Sequence, residues 1–231
     1  KRLGMKKTIL LLLLLVVAVT GSFAVEKFKK NLWEGDPIVS KKGVKNTNIP
    51  ATLKIAMDEL YIVSVAKEDC TKNNNPEACF ITGHYFLTQP SLQDSALKFL
   101  TKACDLENKT ACVMKGMMYL DGISVKKDID NAGFYFKNNC FPGELVEGCV
   151  FFGSFYQIKN KYFKSSKIFN EICFSEKTNS AYKGVACQSL GFNYIKGLGV
   201  RHNTKKAKKL FGLACDHGDS QGCYNYKLLN E

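Results

Sequence analysis

Between residues 187 and 223 the apolar and polar positions alternate with a helical period. Cys187, Gly191 and Tyr194 stand at i, i+4 and i+7 of one stretch. Ala207, Leu210, Phe211, Ala214 and Cys215 stand at i, i+3, i+4, i+7 and i+8 of the next, the apolar stripe of an amphipathic helix. Between them lies Lys196-Gly-Leu-Gly-Val200, whose glycines permit the positive φ that a tight interhelical turn requires. Cys215-Asp-His-Gly-Asp-Ser-Gln-Gly-Cys223 then leads into another helix. The unit is helix A, turn, helix B, Cys, short loop, Cys.

The same unit recurs along the chain. Cysteines that end a helix B fall at Cys70, Cys104, Cys140, Cys173 and Cys215, and those that open a helix A at Cys79, Cys112, Cys149, Cys187 and Cys223. Four places after the helix A cysteine stand Gly83, Gly116, Gly153 and Gly191; seven places after it stand Phe86, Tyr119, Tyr156 and Tyr194. Leu100, Phe136, Phe169 and Phe211 lie four places before the helix B cysteine. The copies follow one another at steps of 33 to 42 residues, a period that marks an array of αα-hairpins. The predicted fold is an all-α hairpin solenoid.

These residues carry a resemblance. Lys102-Ala-Cys104-Asp-Leu-Glu-Asn-Lys-Thr-Ala-Cys112, together with Leu190-Gly191, Tyr194, Gly197, Gly199, Val200 and Ala207, resembles the Sel-like repeat family, relatives of the tetratricopeptide repeat, and specifically the Helicobacter cysteine-rich proteins. The resemblance covers about residues 53–231 and implies a superhelix of stacked hairpins. It also implies an activity to weigh, because some similar cysteine-rich proteins are assigned as β-lactamases or penicillin-binding proteins. The first and third hairpins depart from the pattern, with Gln89-Pro-Ser91 and Lys159-Asn-Lys161 in place of the Gly-x-Gly turn. The loop from Cys173 to Cys187 is longer than its counterparts.

In chain order, residues 1–24 read as a signal peptide. Lys6-Lys7, the apolar run from Ile9 to Val19 and Ser22-Phe-Ala24 form a charged region, an apolar region and a small-residue cleavage site. Four residues precede Met5, the expected natural start, and cleavage is expected to leave Val25 first. The apolar run is shorter than the roughly 20 residues a bilayer span needs, so no stable membrane anchor is expected after cleavage. Residues 25–52 show no repeat signature and are predicted to be an irregular extension. Residues 53–70 form a predicted capping helix, followed by hairpins at 79–104, 112–140, 149–173 and 184–215 and a capping helix at 219–231. Solenoids require such caps at their open ends.

Export changes the meaning of the ten cysteines. An even number in an oxidising compartment implies disulfides, here Cys70–Cys79, Cys104–Cys112, Cys140–Cys149, Cys173–Cys187 and Cys215–Cys223, because every junction repeats the pair in the same phase. Zinc is the rival, but the chain has no Cys-x-x-Cys, and His84, His202 and His217 sit in different repeats. No metal and no cofactor are expected. The location is predicted to be periplasmic or secreted.

The formal charge is +12. Removing Lys1, Arg2, Lys6 and Lys7 with the acid-free leader leaves +8. That excess favours acidic partners such as surface glycans. No base-reading module is present, so nucleic acid is not an expected partner.

Catalytic motifs are sparse. A serine β-lactamase needs Ser-x-x-Lys with Ser-Asp-Asn and Lys-Thr-Gly elements. Ser-x-x-Lys occurs at Ser64–Lys67, Ser95–Lys98, Ser124–Lys127 and Ser180–Lys183, but neither companion element is present. The stronger signal is a surface. Helix A positions two and six places after the cysteine are predicted to line a concave groove: Ile81 and Tyr85, Met114 and Met118, Phe151 and Phe155, Ser189 and Asn193. Apolar residues there need a cover, either the N-terminal extension, tight superhelical curvature, or a peptide, protein or cell-wall ligand. The chain reads as an exported binding scaffold, with cell-wall or β-lactam chemistry as the alternative.

Overall fold

The structure is a computed structural model that describes residues 51–140, 146–176, 178 and 180–230. The leader and the extension predicted for residues 1–52 lie almost wholly outside these residues. The described chain is helical throughout, an all-α series of stacked hairpins. It divides into two compact units, residues 1–111 and 112–231.

In the first unit, α1 (Ala51–Asn73) packs on α2 (Pro76–Leu87), and α2 on α3 (Gln93–Asp105). Ile62, Ala66 and Cys70 of α1 recur at i, i+4 and i+8 and are buried, which is the stripe that makes this segment a capping helix. α1 runs three residues past Cys70. The chain then turns at Asn74, whose φ is 53°. Asn75 caps α2 by accepting from the amides of Glu77 and Ala78, and Pro76 occupies the first turn, where a missing N–H costs nothing. Asp69 accepts from the side-chain amides of Asn73 and Asn75, each at 2.7 Å, tying the turn to α1. Lys102 of α3 donates to the Cys70 carbonyl at 2.8 Å. The Gln89-Pro-Ser91 stretch becomes a single 3-10 turn at Pro90–Leu92 that feeds α3 directly.

α4 (Lys109–Asp121) opens with Asn108 accepting from the Ala111 amide at 2.9 Å. In the second unit follow α5 (Ile129–Asn138), α6 (Val146–Ile158), α7 (Tyr162–Cys173), α8 (Ser180–Lys196), α9 (Thr204–Asp216) and α10 (Ser220–Leu228). Asp128, Asn203 and Asp219 cap α5, α9 and α10 with their side chains. The second and fourth hairpins share one turn. Ile123 and Asp128 donate to the carbonyls of Met118 and Tyr119, and Leu198 and Asn203 donate to those of Asn193 and Tyr194. Gly197 and Gly199 take φ of +65° and +67° there, and the equivalent pair Gly122 and Ser124 takes +77° and 55°. In the third hairpin Asn160 supplies the left-handed residue at 57°, Lys161 donates to the Tyr156 carbonyl, and the connection is shorter, with the next helix beginning at Tyr162. Asn tolerates that conformation better than most residues, so the shorter turn forms without glycine.

The glycines of helix A set the hairpin spacing. A Cβ on Gly83 would fall 2.8 Å from the Leu100 side chain, and on Gly116, Gly153 and Gly191 within 2.8, 2.7 and 2.8 Å of the Phe136, Phe169 and Phe211 rings. In every hairpin, then, the fourth residue after the helix A cysteine is the seat of the large residue four before the helix B cysteine. In the second unit the core is continuous through Val150, Phe169, Ile172, Leu190, Leu210 and Ala214, with Cys149, Cys173 and Cys187 among them.

Candidate binding surfaces

The predicted groove residues do not form an open groove. Ile81, Met114, Met118, Phe151 and Asn193 are at most 1 % exposed, so these five belong to the interior. The correction has a packing cause. Phe151 stacks on Phe136 of α5, with centroids 5.4 Å apart, so the position two after the cysteine faces the preceding hairpin. Asn193 is held in a buried polar chain: it donates to Ser166 Oγ at 3.0 Å, accepts from Gln157 at 3.1 Å, and Ser166 donates to the Leu198 carbonyl at 3.3 Å. An amide there is hydrogen-bonded at both ends and, being fully buried, is not presented to a ligand. Of the proposed set, Tyr85, Phe155 and Ser189 remain half-buried.

Four disulfides close helix B to the following helix A: Cys70–Cys79, Cys140–Cys149, Cys173–Cys187 and Cys215–Cys223, with Cα atoms 4.7, 4.2, 4.9 and 4.4 Å apart. Cys104 and Cys112 are disulfide-bonded too, and no cysteine is free. Three of these bridges cross-link successive hairpins within the second unit.

Phe155 belongs to a group that sequence spacing did not single out. Phe152, Phe155 and Tyr156 of α6 are all half-buried and in mutual contact, with centroids 5.9 Å apart for the two phenylalanines, 4.6 Å for Phe152 and Tyr156, and 5.4 Å for Phe155 and Tyr156. Gly133 of α5 lies directly against the Phe155 ring. The aromatic seven places after the cysteine carries an ammonium in the last two hairpins. Lys164 sits 5.5 Å from the Tyr156 centroid, and Lys206 sits 4.5 Å from that of Tyr194 while donating to its hydroxyl at 2.7 Å. The ring quadrupole attracts the cation and restrains an otherwise mobile side chain.

Of the four Ser-x-x-Lys serines, Ser64 donates to its own helix at the Tyr61 carbonyl, and Ser124 is an exposed turn residue. Ser95 is half-buried on α3. Ser180, the first residue of α8, lies 2.9 Å from His217 Nδ1 at the end of α9. Among the described residues no group of His, Cys, Asp and Glu is placed to hold a metal ion. No helix of the described residues is long and apolar enough to cross a membrane.

One buried carboxyl stands out. Glu147, in the first turn of α6, is 3 % exposed and has no hydrogen-bond partner for Oε1 among the described residues. Burial raises it to about 7, against a smaller opposing effect of a hydrogen bond with Tyr182 of α8. The Tyr182 phenol is pushed up by its own burial and by that carboxylate. Periodicity could not reveal this pair, because Glu147 occupies a position that looks like an ordinary solvated helix start.

Comparison with known proteins places the architecture. Residues 76–108, 110–137 and 184–219 match the Sel1 repeat. The unmatched interval contains the third hairpin, with its Asn turn and long Cys173–Cys187 loop. No curated protein sequence matches significantly. A Sel1 repeat protein from Oxalobacter formigenes superposes with a TM-score of 0.58 at 19 % identity, over 74 % of this chain and 73 % of that one. A protective antigen of uropathogenic Escherichia coli with an SLR fold gives a TM-score of 0.58 at 19 % identity, over 70 % of this chain. The present chain covers 34 % of that antigen. Cysteine-rich protein B of Helicobacter pylori shares 22 % identity over 72 % of this chain and 93 % of its own, but its TM-score of 0.28 supports no structural inference. What the comparisons share with the geometry above is the fold: disulfide-bonded helical hairpins stacked as in Sel1-like repeat structures, with the Sel1 repeat itself matched in three segments.

Proposed function

We propose that this protein is an exported binding scaffold, a relative of the Helicobacter cysteine-rich proteins, that holds a peptide, protein or cell-wall ligand on the aromatic group of α6. The observation that supports the reading is the Phe152–Phe155–Tyr156 cluster, three half-buried rings in contact on a helix fixed by a disulfide at Cys149. Aromatic rings offer large contact area at little entropic cost when they are already held in place. The disulfides themselves suggest an oxidising, extracytoplasmic setting, in keeping with export.

The test is capture of partners from periplasmic and surface extracts by residues 25–231, repeated with Phe152→Ser. Partner binding should fall at least about tenfold in the variant, in line with the loss of an aromatic anchor, while the helical spectrum is retained. Unchanged capture would remove the aromatic group from the reading.

A second reading rests on one contact. Ser180 is the Ser-x-x-Lys serine that has a histidine at hydrogen-bond distance, the first two members of a nucleophile–base arrangement. The enzyme alternative therefore reduces to Ser180, with His217 as base. Turnover of a chromogenic cephalosporin that vanishes in Ser180→Ala would support it; turnover unaffected by that change, or none at all, would dismiss it.

A further inference from the structure

The charge of this chain is unevenly distributed. Between residues 177 and 215 there are eight basic residues and no acid, and from 148 to 170 there are four lysines and no acid. The fold brings these two stretches together. Gly199, in the α8–α9 turn, lies against the backbone of Tyr162 and Phe163 at the start of α7, and Ser166 donates to the Leu198 carbonyl at 3.3 Å. Lys161, Lys164 and Lys167 thus stand on the segment, and Arg201, Lys205 and Lys206 on and after the turn, that this contact joins, and all six are exposed. None of the six pairs with a carboxylate among the described residues, whereas Lys159 nearby is paired with Asp130 at 2.8 Å. Phe163, whose backbone lies against Gly199 at this contact, is 72 % exposed.

We infer that this surface, formed by the first turns of α7 and α9 around the α8–α9 turn, binds a linear acidic polysaccharide. Three features favour that partner. The cations are almost all lysines, compact charges without the planar fork that selects a single bidentate carboxylate, and so suited to a run of acidic groups. Lys164 and Lys206 occupy equivalent places in successive hairpins, each over the conserved-phase tyrosine of its own helix A, so the charges repeat at hairpin spacing. Phe163 supplies an aromatic face among them, and the C–H face of a pyranose ring packs on such a ring while its carboxylates or sulfates remain free for the lysines. A bare acidic peptide would use the lysines but leave Phe163 without a role. The surface meets the α6 aromatic group where Lys164 lies over Tyr156, but its cations and Phe163 belong to α7, α9 and the α8–α9 turn, so the two readings are separated by variants at Phe152 and Phe163.

The experiment uses residues 25–231 and polygalacturonate oligomers, with poly-glutamate of similar charge, neutral dextran and anionic phospholipid vesicles as comparators. Polygalacturonate should bind, and its affinity should fall at least about tenfold between 50 and 200 mM salt, as charge-driven binding to a polyanion does. Lys167→Gln with Lys205→Gln should weaken it severalfold with the helical spectrum retained, since both residues are exposed and neither side chain makes a hydrogen bond, ion pair or cation–π contact among the described residues. Phe163→Ser should weaken polygalacturonate and leave poly-glutamate unchanged. Phe152→Ser, the variant that tests the α6 reading, should leave both unchanged. The inference is overturned if polygalacturonate does not bind at 50 mM salt, if Phe163→Ser affects both polymers alike, or if vesicles bind more tightly than the polysaccharide.

Discussion

Gly191 shows how one residue type fixes a distance. The Phe211 ring lies where a Cβ would be, so helix A and helix B of the fourth hairpin approach as closely as backbone and ring allow. Gly191→Ala should destabilise by about 1–3 kcal/mol, the usual cost of overpacking a tight core, read as a lower midpoint in denaturant with an unchanged slope. Glu147 makes the opposite kind of argument, from charge. Its carboxyl titrates at about 7 in the folded chain, against 4.5 for the free group. The folded state therefore keeps a proton that the unfolded state has lost. Stability from this group is fully present below the unfolded value and is lost as pH rises through 7. The difference corresponds to about 3 kcal/mol at 1.36 kcal/mol per unit. Glu147→Gln should remove that loss and raise stability at pH 8, measured by denaturation across pH 5–8. Asp121 and Asp219 are also raised by burial, so a residual slope of the same sign should persist.

At the scale of elements, the helices were legible because each hairpin repeats the same stripe, and the repeat separates position from noise. Ala207, Leu210, Phe211 and Ala214 are all buried on one face of α9. The interior of helix A was harder to read. α4 and α6 are apolar on nearly every side, so periodicity could not say which side meets another helix. Met114, Met118 and Phe151 thus read as a groove in sequence, whereas the fold packs them inside. Asn193 misled for a different reason: a polar residue in a helix reads as solvated, and the partners that satisfy it lie 27 and 36 residues away. The same distance in sequence hid Ser180–His217 and Glu147–Tyr182. Junctions offer the cleanest test at this scale. Cys173–Cys187 closes the longest loop of the four described, and replacing both residues by Ser should destabilise by roughly 3 kcal/mol through the freer unfolded chain. Helical content should stay the same, since α7 and α8 also pack directly.

Considered as a whole molecule, the chain joins its packed hairpins by disulfides and leaves no cysteine free. Each hairpin seats one large residue on a glycine within its core, and the disulfides between hairpins add resistance to unfolding by constraining the unfolded chain. A thiol-rich compartment would work against such a protein, because buried cysteines left reduced would leave the junctions unstapled. The requirement connects the cysteine phase to the leader predicted for residues 1–24. Protein isolated from its native host should therefore begin at Val25 and give no reaction with a thiol reagent after denaturation. The same chain produced in a reducing cytoplasm without residues 1–24 should titrate ten thiols and melt well below the oxidised form. Equal melting of the two forms would show that packing alone holds the hairpins together, and would leave the cysteines without the structural role assigned to them.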